Sequence, residues 1–307
     1  MRLPLRLLAA FVASVLIAFA ALVPASLTAR PAAKAPAAAR QTVRPALWKV
    51  ADGDTTIWLF GTIHALPARL PWLSGPIARA LGNADELVTE IPETDPAQMQ
   101  AAVIANAMLP TGQTLRGQLA PADAARLEQA LAGFGLPPEA FDRFEPWYAA
   151  VALSTLPLAK QGYSADNGVD ERIAAEMRAR GKPRTGLETA DDQLRMFDSL
   201  PAEVQTRYLH EVLESLPTLN RQLEEMVRAW QAGQADRLAE LLNAEEDDPR
   251  MVQTLLTDRN RAWAGWVAKR LNRPGVVFMA VGAGHLAGKD SVQDMLRARG
   301  IAVARVQ

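Results

Sequence analysis

The chain contains no cysteine. Disulfides, thiol catalysis, cysteine-ligated metals and a lipidated N-terminal cysteine are thereby excluded. Histidine is scarce, with three among 307 residues. Any metal site must therefore draw on a small pool of His, Asp and Glu, which suits harder or borderline divalent ions. Neither sign of charge dominates: 33 Lys and Arg stand against 34 Asp and Glu. Nothing there suggests an electrostatic grip on nucleic acid. What is abundant is apolar surface, at 49% of the residues, ample for a buried core. The length allows one large domain or two small ones.

The N-terminus has the form of an export signal. Arg2 and Arg6 precede an apolar run from Leu7 to Val23, broken only by Ser14. Val23-Pro24-Ala25 and Leu27-Thr28-Ala29 offer cleavage contexts within residues 1–29. The run falls between a signal and a span of about 20 apolar residues, so an uncleaved membrane anchor is the alternative. Either way the remainder is expected to be exported, to the periplasm or cell envelope. Residues 30–45, rich in Ala and Pro, read as a disordered spacer. The folded domain is expected over 46–307.

Leu47 to Val50 and Thr55 to Phe60 read as strands around Ala51-Asp52-Gly53-Asp54, a strong hairpin signal. Ile57 to Phe60 is apolar on both faces, which predicts a central strand covered on each side. Leu70 to Leu81 reads as a helix broken near Gly75-Pro76, and Glu86 to Ile91 as a strand. Asp95 caps a helical stretch with Pro96 at its first position, and helical pieces continue to about Lys160. A helix over 168–180 leads to a strand from Pro183 to Leu187, then helices fill 189–270. Gly275 to Val281 and Ile301 to Val306 are the last strands, with Ser291 and Asp294 boxing the helix between them. The class is α/β: a mostly parallel sheet with helices on both faces and a large helical insertion mid-chain.

Two of the three histidines follow a strand and a glycine in the same way, in Gly61-Thr62-Ile63-His64 and Gly282-Ala283-Gly284-His285. Ligands of open α/β sheets bind outside the carboxyl ends of the strands. Reading those ends in order gives His64, Glu90, Glu188 and His285. Each alone is a weak pattern; four ionisable groups at one edge are a stronger one.

Helical projection adds Arg259. Along Met251 to Val267 it lies in the middle of the apolar arc, with Asn260 at the arc's edge. A guanidinium on a core face must be paired, and Glu90 or Glu188 is the expected partner. Asp170 likewise lies within the apolar arc of Val169, Ile173 and Met177. His210 projects away from Val204, Tyr208, Val212 and Leu216, and reads as solvated.

These pieces, together with Gly168-Val169-Asp170, Gly186-Leu187-Glu188-Thr189, Arg259-Asn260 and Leu286-Ala287-Gly288, resemble the TraB/GumN family. That family is related to the Tiki metalloproteases and more distantly to erythromycin esterases. The resemblance runs from about Leu47 to the C-terminus. It implies an active centre of His64, Glu90 and His285, supporting metal-dependent peptide cleavage in the Tiki proteins and hydrolysis of esters in the esterases. A divalent ion would then be held by His64, Glu90 and His285, with Glu188 as general base and Arg259 orienting a carboxylate or an oxyanion. The substrate would be a peptide or a small ester or amide. Without metal, one histidine would itself activate the water. The alternative is a haem- or metal-binding envelope protein without turnover, with Trp263 to Trp266 as a pocket wall. A third reading is a structural partner in envelope assembly.

Overall fold

A computed structural model of the chain describes residues 43–67, 70–242 and 248–307. The expected export segment, and the expected spacer up to residue 42, lie outside the described residues. Among the described residues no helix is long and apolar enough to cross a membrane.

A six-stranded sheet organises the domain in the order β6-β4-β7-β2-β1-β8. Its strands are β1 (Leu47–Ala51), β2 (Thr55–Thr62), β4 (Glu86–Thr89), β6 (Arg184–Gly186), β7 (Gly275–Gly282) and β8 (Ala304–Arg305). β3 (Leu66–Pro67) and β5 (Tyr163–Ser164) pair separately. β6, β4, β7 and β2 run parallel; β1 pairs antiparallel with β2, and β8 antiparallel with β1. The β1–β2 hairpin forms as its Asp-Gly turn predicts. Its loop is tied by the Asp52 carboxylate, which accepts from the backbone N–H of Asp54 and Thr55.

The expectation for Ile57 to Phe60 holds. Ile57 and Leu59 pack on one face with Val88, Val277, Met279 and Trp263. Phe60 packs on the other with Leu87, Phe278, Trp72 and Trp230. A strand buried on both faces cannot alternate polar with apolar, which is why this stretch reads as a continuous run.

The helices are α1 (Gly75–Gly82), α2 (Pro96–Ala107), α3 (Leu115–Gln118), α4 (Pro121–Phe134), α5 (Pro146–Lys160), α6 (Val169–Ala179), α7 (Ala190–Asp198), α8 (Ala202–Gln231), α9 (Ala235–Leu242), α10 (Pro249–Val252), α11 (Asp258–Arg270) and α12 (Val292–Arg297). Asp95 caps α2 by accepting from the Ala97 N–H, and Ser291 caps α12. Helices cover both faces of the sheet. A further apolar cluster lies among α2, α4, α5, α7 and α8, away from the strands.

Three expectations are corrected. The helical middle is not one insertion: β6 returns the chain to the sheet between two helical stretches. Helix α1 begins only at Gly75, after the Ser74 cap and with Pro76 in its first turn, so 70–74 is not helical. The last strand shortens from Ile301–Val306 to Ala304–Arg305, because it sits at the sheet edge and pairs only with β1.

Candidate functional site

The parallel strands β6, β4, β7 and β2 are neighbours, so their carboxyl ends open on one edge. Glu188, Glu90, His285 and His64 lie beyond those ends in that spatial order. Backbone pairing continues past the strands: the N–H of Leu187 donates to the Thr89 carbonyl and that of Glu188 to the Glu90 carbonyl, both at 2.9 Å. The two carboxylates are thereby set side by side.

Arg259, 3% exposed, enters this edge from α11. Its Nε and Nη2 donate to the two oxygens of Glu188, each at 2.8 Å. Nη2 also donates to Glu90 Oε2 at 2.7 Å. Nη1 donates to the Leu255 carbonyl at 3.2 Å and reaches His285 Nε2 at 3.0 Å. Gln193 donates to both glutamates, and the Trp263 indole N–H to Glu188 Oε1. Trp263 also lies under the guanidinium at 4.6 Å and packs against the His285 ring, tilted by 47° with centroids 4.3 Å apart. Burial pulls the Arg259 pKa down, but the charges and hydrogen bonds of Glu90 and Glu188 outweigh it and raise it.

The two Gly-x-x-His loops hold their imidazoles in matching ways. His285 is fully buried, with Nδ1 2.6 Å from Asn260 Oδ1. Burial, and after it the charges of Arg259 and His64, push its pKa well below the ordinary value. His64 has Nδ1 2.7 Å from Asp170 Oδ2, while its buried Nε2 has no partner. Burial pulls the His64 pKa down, but the charge and hydrogen bond of Asp170, with a contribution from Glu90, outweigh that and raise it. For Asp170 burial acts upward, and His64 more than compensates, leaving the carboxyl below its usual range.

Glycine is needed where these loops meet other backbone. A Cβ on Gly168 would lie 2.2 Å from the His64 carbonyl oxygen, where the Val169 N–H donates to the Ile63 carbonyl at 3.0 Å. A Cβ on Gly61 would lie 3.0 Å from the Ala283 Cα, so the two histidine loops touch directly. Gly168→Ala is expected to push the His64 loop away from α6 and lower stability by about 1–3 kcal/mol, the usual cost of overpacking. Chemical denaturation measures it; an unchanged midpoint would mean the loop yields freely.

All of His64, Glu90, Glu188, Arg259 and His285 come together, and Arg259 pairs with both expected glutamates. His210 is half-buried and paired rather than solvated: Nδ1 lies 2.8 Å from Asp123 on α4. Sequence reading left out Asp170, Asn260, Gln193 and Trp263 as site residues. The inward placement of Asp170 was its signal. Asn260 is concealed by a π-helical turn over Gln253–Thr257. Such a turn adds about one residue, rotating the helix beyond it by about 100° relative to a continuous one. Both Arg259 and Asn260 then face inward.

The divalent metal expected on His64, Glu90 and His285 is not matched by this donor set. The Nε2 of His285 lies 3.0 Å from Arg259 Nη1, its Nδ1 is taken by Asn260, and both oxygens of Glu90 already accept protein hydrogens. Of the three, only His64 offers an unpartnered nitrogen. Among the described residues no group of three His, Asp or Glu side chains is placed to hold a metal ion. For haem likewise, His285 has no ring nitrogen to spare.

This α/β domain, with a buried histidine–glutamate–arginine cluster at its parallel strand ends, matches the TraB/PrgY/gumN family over residues 46–305. The chain belongs to that family. It is similar to the uncharacterised protein YbaP of Escherichia coli K12, at 26% identity over 253 residues, covering 82% of this chain and 92% of the relative. An uncharacterised protein of Treponema pallidum is 24% identical over 270 residues, covering 82% of this chain and 80% of its own. No solved structure matches the chain.

Proposed function

We propose that the protein is an exported hydrolase of peptide, ester or amide bonds in which His64 moves the proton. The observation that carries this reading is the His64 imidazole: Nδ1 is held by the Asp170 carboxylate while the buried Nε2 is left without a partner. A carboxylate on Nδ1 fixes the tautomer and leaves the Nε2 lone pair for an incoming proton. Neutral His64 takes a proton from water as the water oxygen bonds to the acyl carbon. The imidazolium then returns that proton to the leaving alcohol or amine as the carbon–oxygen or carbon–nitrogen bond breaks. Asp170 stabilises the imidazolium between the two steps.

Glu188 is reassigned in this scheme. Both its oxygens accept from Arg259, with Gln193 and Trp263 as further donors, so it holds the guanidinium rather than acting as the base. Arg259 spends its hydrogens on Glu90, Glu188, Leu255 and His285. Its part is a fixed positive charge at the sheet edge, worth most where water is excluded.

The test is hydrolysis of a panel of peptides and small esters and amides by the purified chain, with metal analysis and an absorption spectrum of the same sample. Turnover that survives chelation and is lost in His64→Gln supports the reading. Turnover that depends on a bound ion lost in both His64→Ala and His285→Ala replaces it with the metal-dependent version. A Soret band without turnover favours the haem-binding alternative, and no turnover at all removes the hydrolase.

A further inference from the structure

Beyond the residues already given roles, the cluster contains a chain of hydrogen bonds that starts on strained backbone and ends on His285. Asp290 is the only non-glycine among the described residues with positive φ, at 59°. That left-handed conformation is tolerated by Asp but carries a cost. It presents the Asp290 carbonyl to Asn260, whose Nδ2 donates to it at 2.8 Å. A carbonyl only accepts, so this bond decides which end of the Asn260 amide is nitrogen. The other end, Oδ1, must then be the atom 2.6 Å from His285 Nδ1. An amide oxygen only accepts, so Nδ1 carries the hydrogen. Across the ring, Arg259 Nη1 lies 3.0 Å from Nε2. A guanidinium only donates, so Nε2 is bare; Glu90 Oε1, the carboxylate oxygen facing the same nitrogen, is 3.9 Å away and beyond hydrogen-bond reach. Two independent constraints from opposite sides demand the same form of one ring.

We propose that Asn260 is a positioning residue that locks His285 as the neutral Nδ1–H tautomer, so that its Nε2 lone pair anchors the Arg259 guanidinium against Glu90 and Glu188. His285 thereby serves neither as base nor as acid. A second proton would set Nε2–H against the Arg259 N–H, and the Nε2–H tautomer would do the same while leaving Nδ1 facing the Asn260 oxygen, acceptor against acceptor. Asp290 stores its backbone strain where it aims the carbonyl that orients Asn260. The functional weight of this device rests on the hydrolase reading, in which Arg259 is the fixed charge; the tautomer itself does not.

The experiment is nitrogen-15 correlation spectroscopy of the imidazole rings in the full chain, with the His285 signals assigned by their absence from His285→Gln. The expected result is one protonated nitrogen, Nδ1, and one unprotonated nitrogen, Nε2, unchanged between pH 6 and pH 8. A doubly protonated ring, or an Nε2–H tautomer, overturns the proposal. Asn260→Ala is expected to split or broaden the Nδ1–H signal, as the ring loses its tether; an unaltered signal in a folded variant also overturns it. Asn260→Asp keeps the size but cannot donate to the Asp290 carbonyl and offers a negative charge to the ring, so His285 should gain a second proton. Retention of the wild-type pattern in that variant would mean Arg259 alone sets the tautomer. Should neither variant fold, the wild-type spectrum decides. None of these readings uses a substrate, so failure of the hydrolase assay and failure of the tautomer lock are separate results.

Discussion

Arg259→Met is expected to destabilise the domain by about 3–5 kcal/mol, the range for removing one partner of a buried ion pair. The side chain is replaced by one of similar reach and apolar character, so lost packing is small. What remains is two carboxylates, Glu90 and Glu188, each about nine-tenths buried and still sharing Gln193 as a donor. Without the guanidinium they repel each other in a medium that screens poorly. Adding Glu188→Gln to Arg259→Met should restore part of the loss by removing one of the opposed charges. Urea denaturation of the wild type and of the single and double variants gives the loss and its recovery. An Arg259→Met midpoint equal to that of the wild type would show that solvent reaches the cluster and that the ion pairs carry little weight.

The same cluster shows how far sequence could lead. The strand ends were legible because parallel strands buried on both faces are continuous apolar runs. Such runs stop visibly at Gly61, Thr89 and Gly282, and the next ionisable residue after each lies on the shared edge; β6 is a short polar edge strand whose end carries no such mark. The inward arginine was legible because a charge on an apolar arc contradicts its neighbours. Pairings across the chain were not. His64 and Asp170 are 106 residues apart, and Arg259 and Glu90 169, and no local pattern encodes which carboxylate meets which imidazole. Helical periodicity also assumes a constant 100° per residue, which the π-turn before α11 breaks at the place where Asn260 is turned inward. The metal expectation turns on geometry for a related reason: residue types suit an ion, but only the fold shows that Arg259 lies 3.0 Å from His285 Nε2.

His64 and His285 are expected to give stability profiles of opposite slope on the two sides of pH 6.5, the ordinary value for a histidine. For His64 burial opposes the proton, but Asp170 outweighs burial, so the folded form binds the proton more tightly than the unfolded chain does. Its contribution is therefore complete below pH 6.5 and is lost as pH rises through the folded value. For His285, burial and the charge of Arg259 act together, and the folded form resists the proton. Its contribution is complete above pH 6.5 and is lost as pH falls toward its depressed folded value. Each tenfold change in proton affinity is worth about 1.4 kcal/mol. His64→Gln should flatten the fall in stability on the alkaline side, and His285→Gln the fall on the acid side. Profiles whose slopes are unchanged in both variants would mean that neither ring is buried as described. The rate should track the first of these titrations alone. Neutral His64 is the form that accepts a proton, so turnover should rise through a pKa above 6.5. Asp170→Asn should move that limb to lower pH, since the charge that raises the pKa is gone. His64→Gln should cost on the order of 10²- to 10⁴-fold, the usual share of a general base. In the proposed mechanism, two histidines in matching loops are thus driven apart by their second partners: a carboxylate makes one a proton carrier, and an amide with a guanidinium keeps the other neutral.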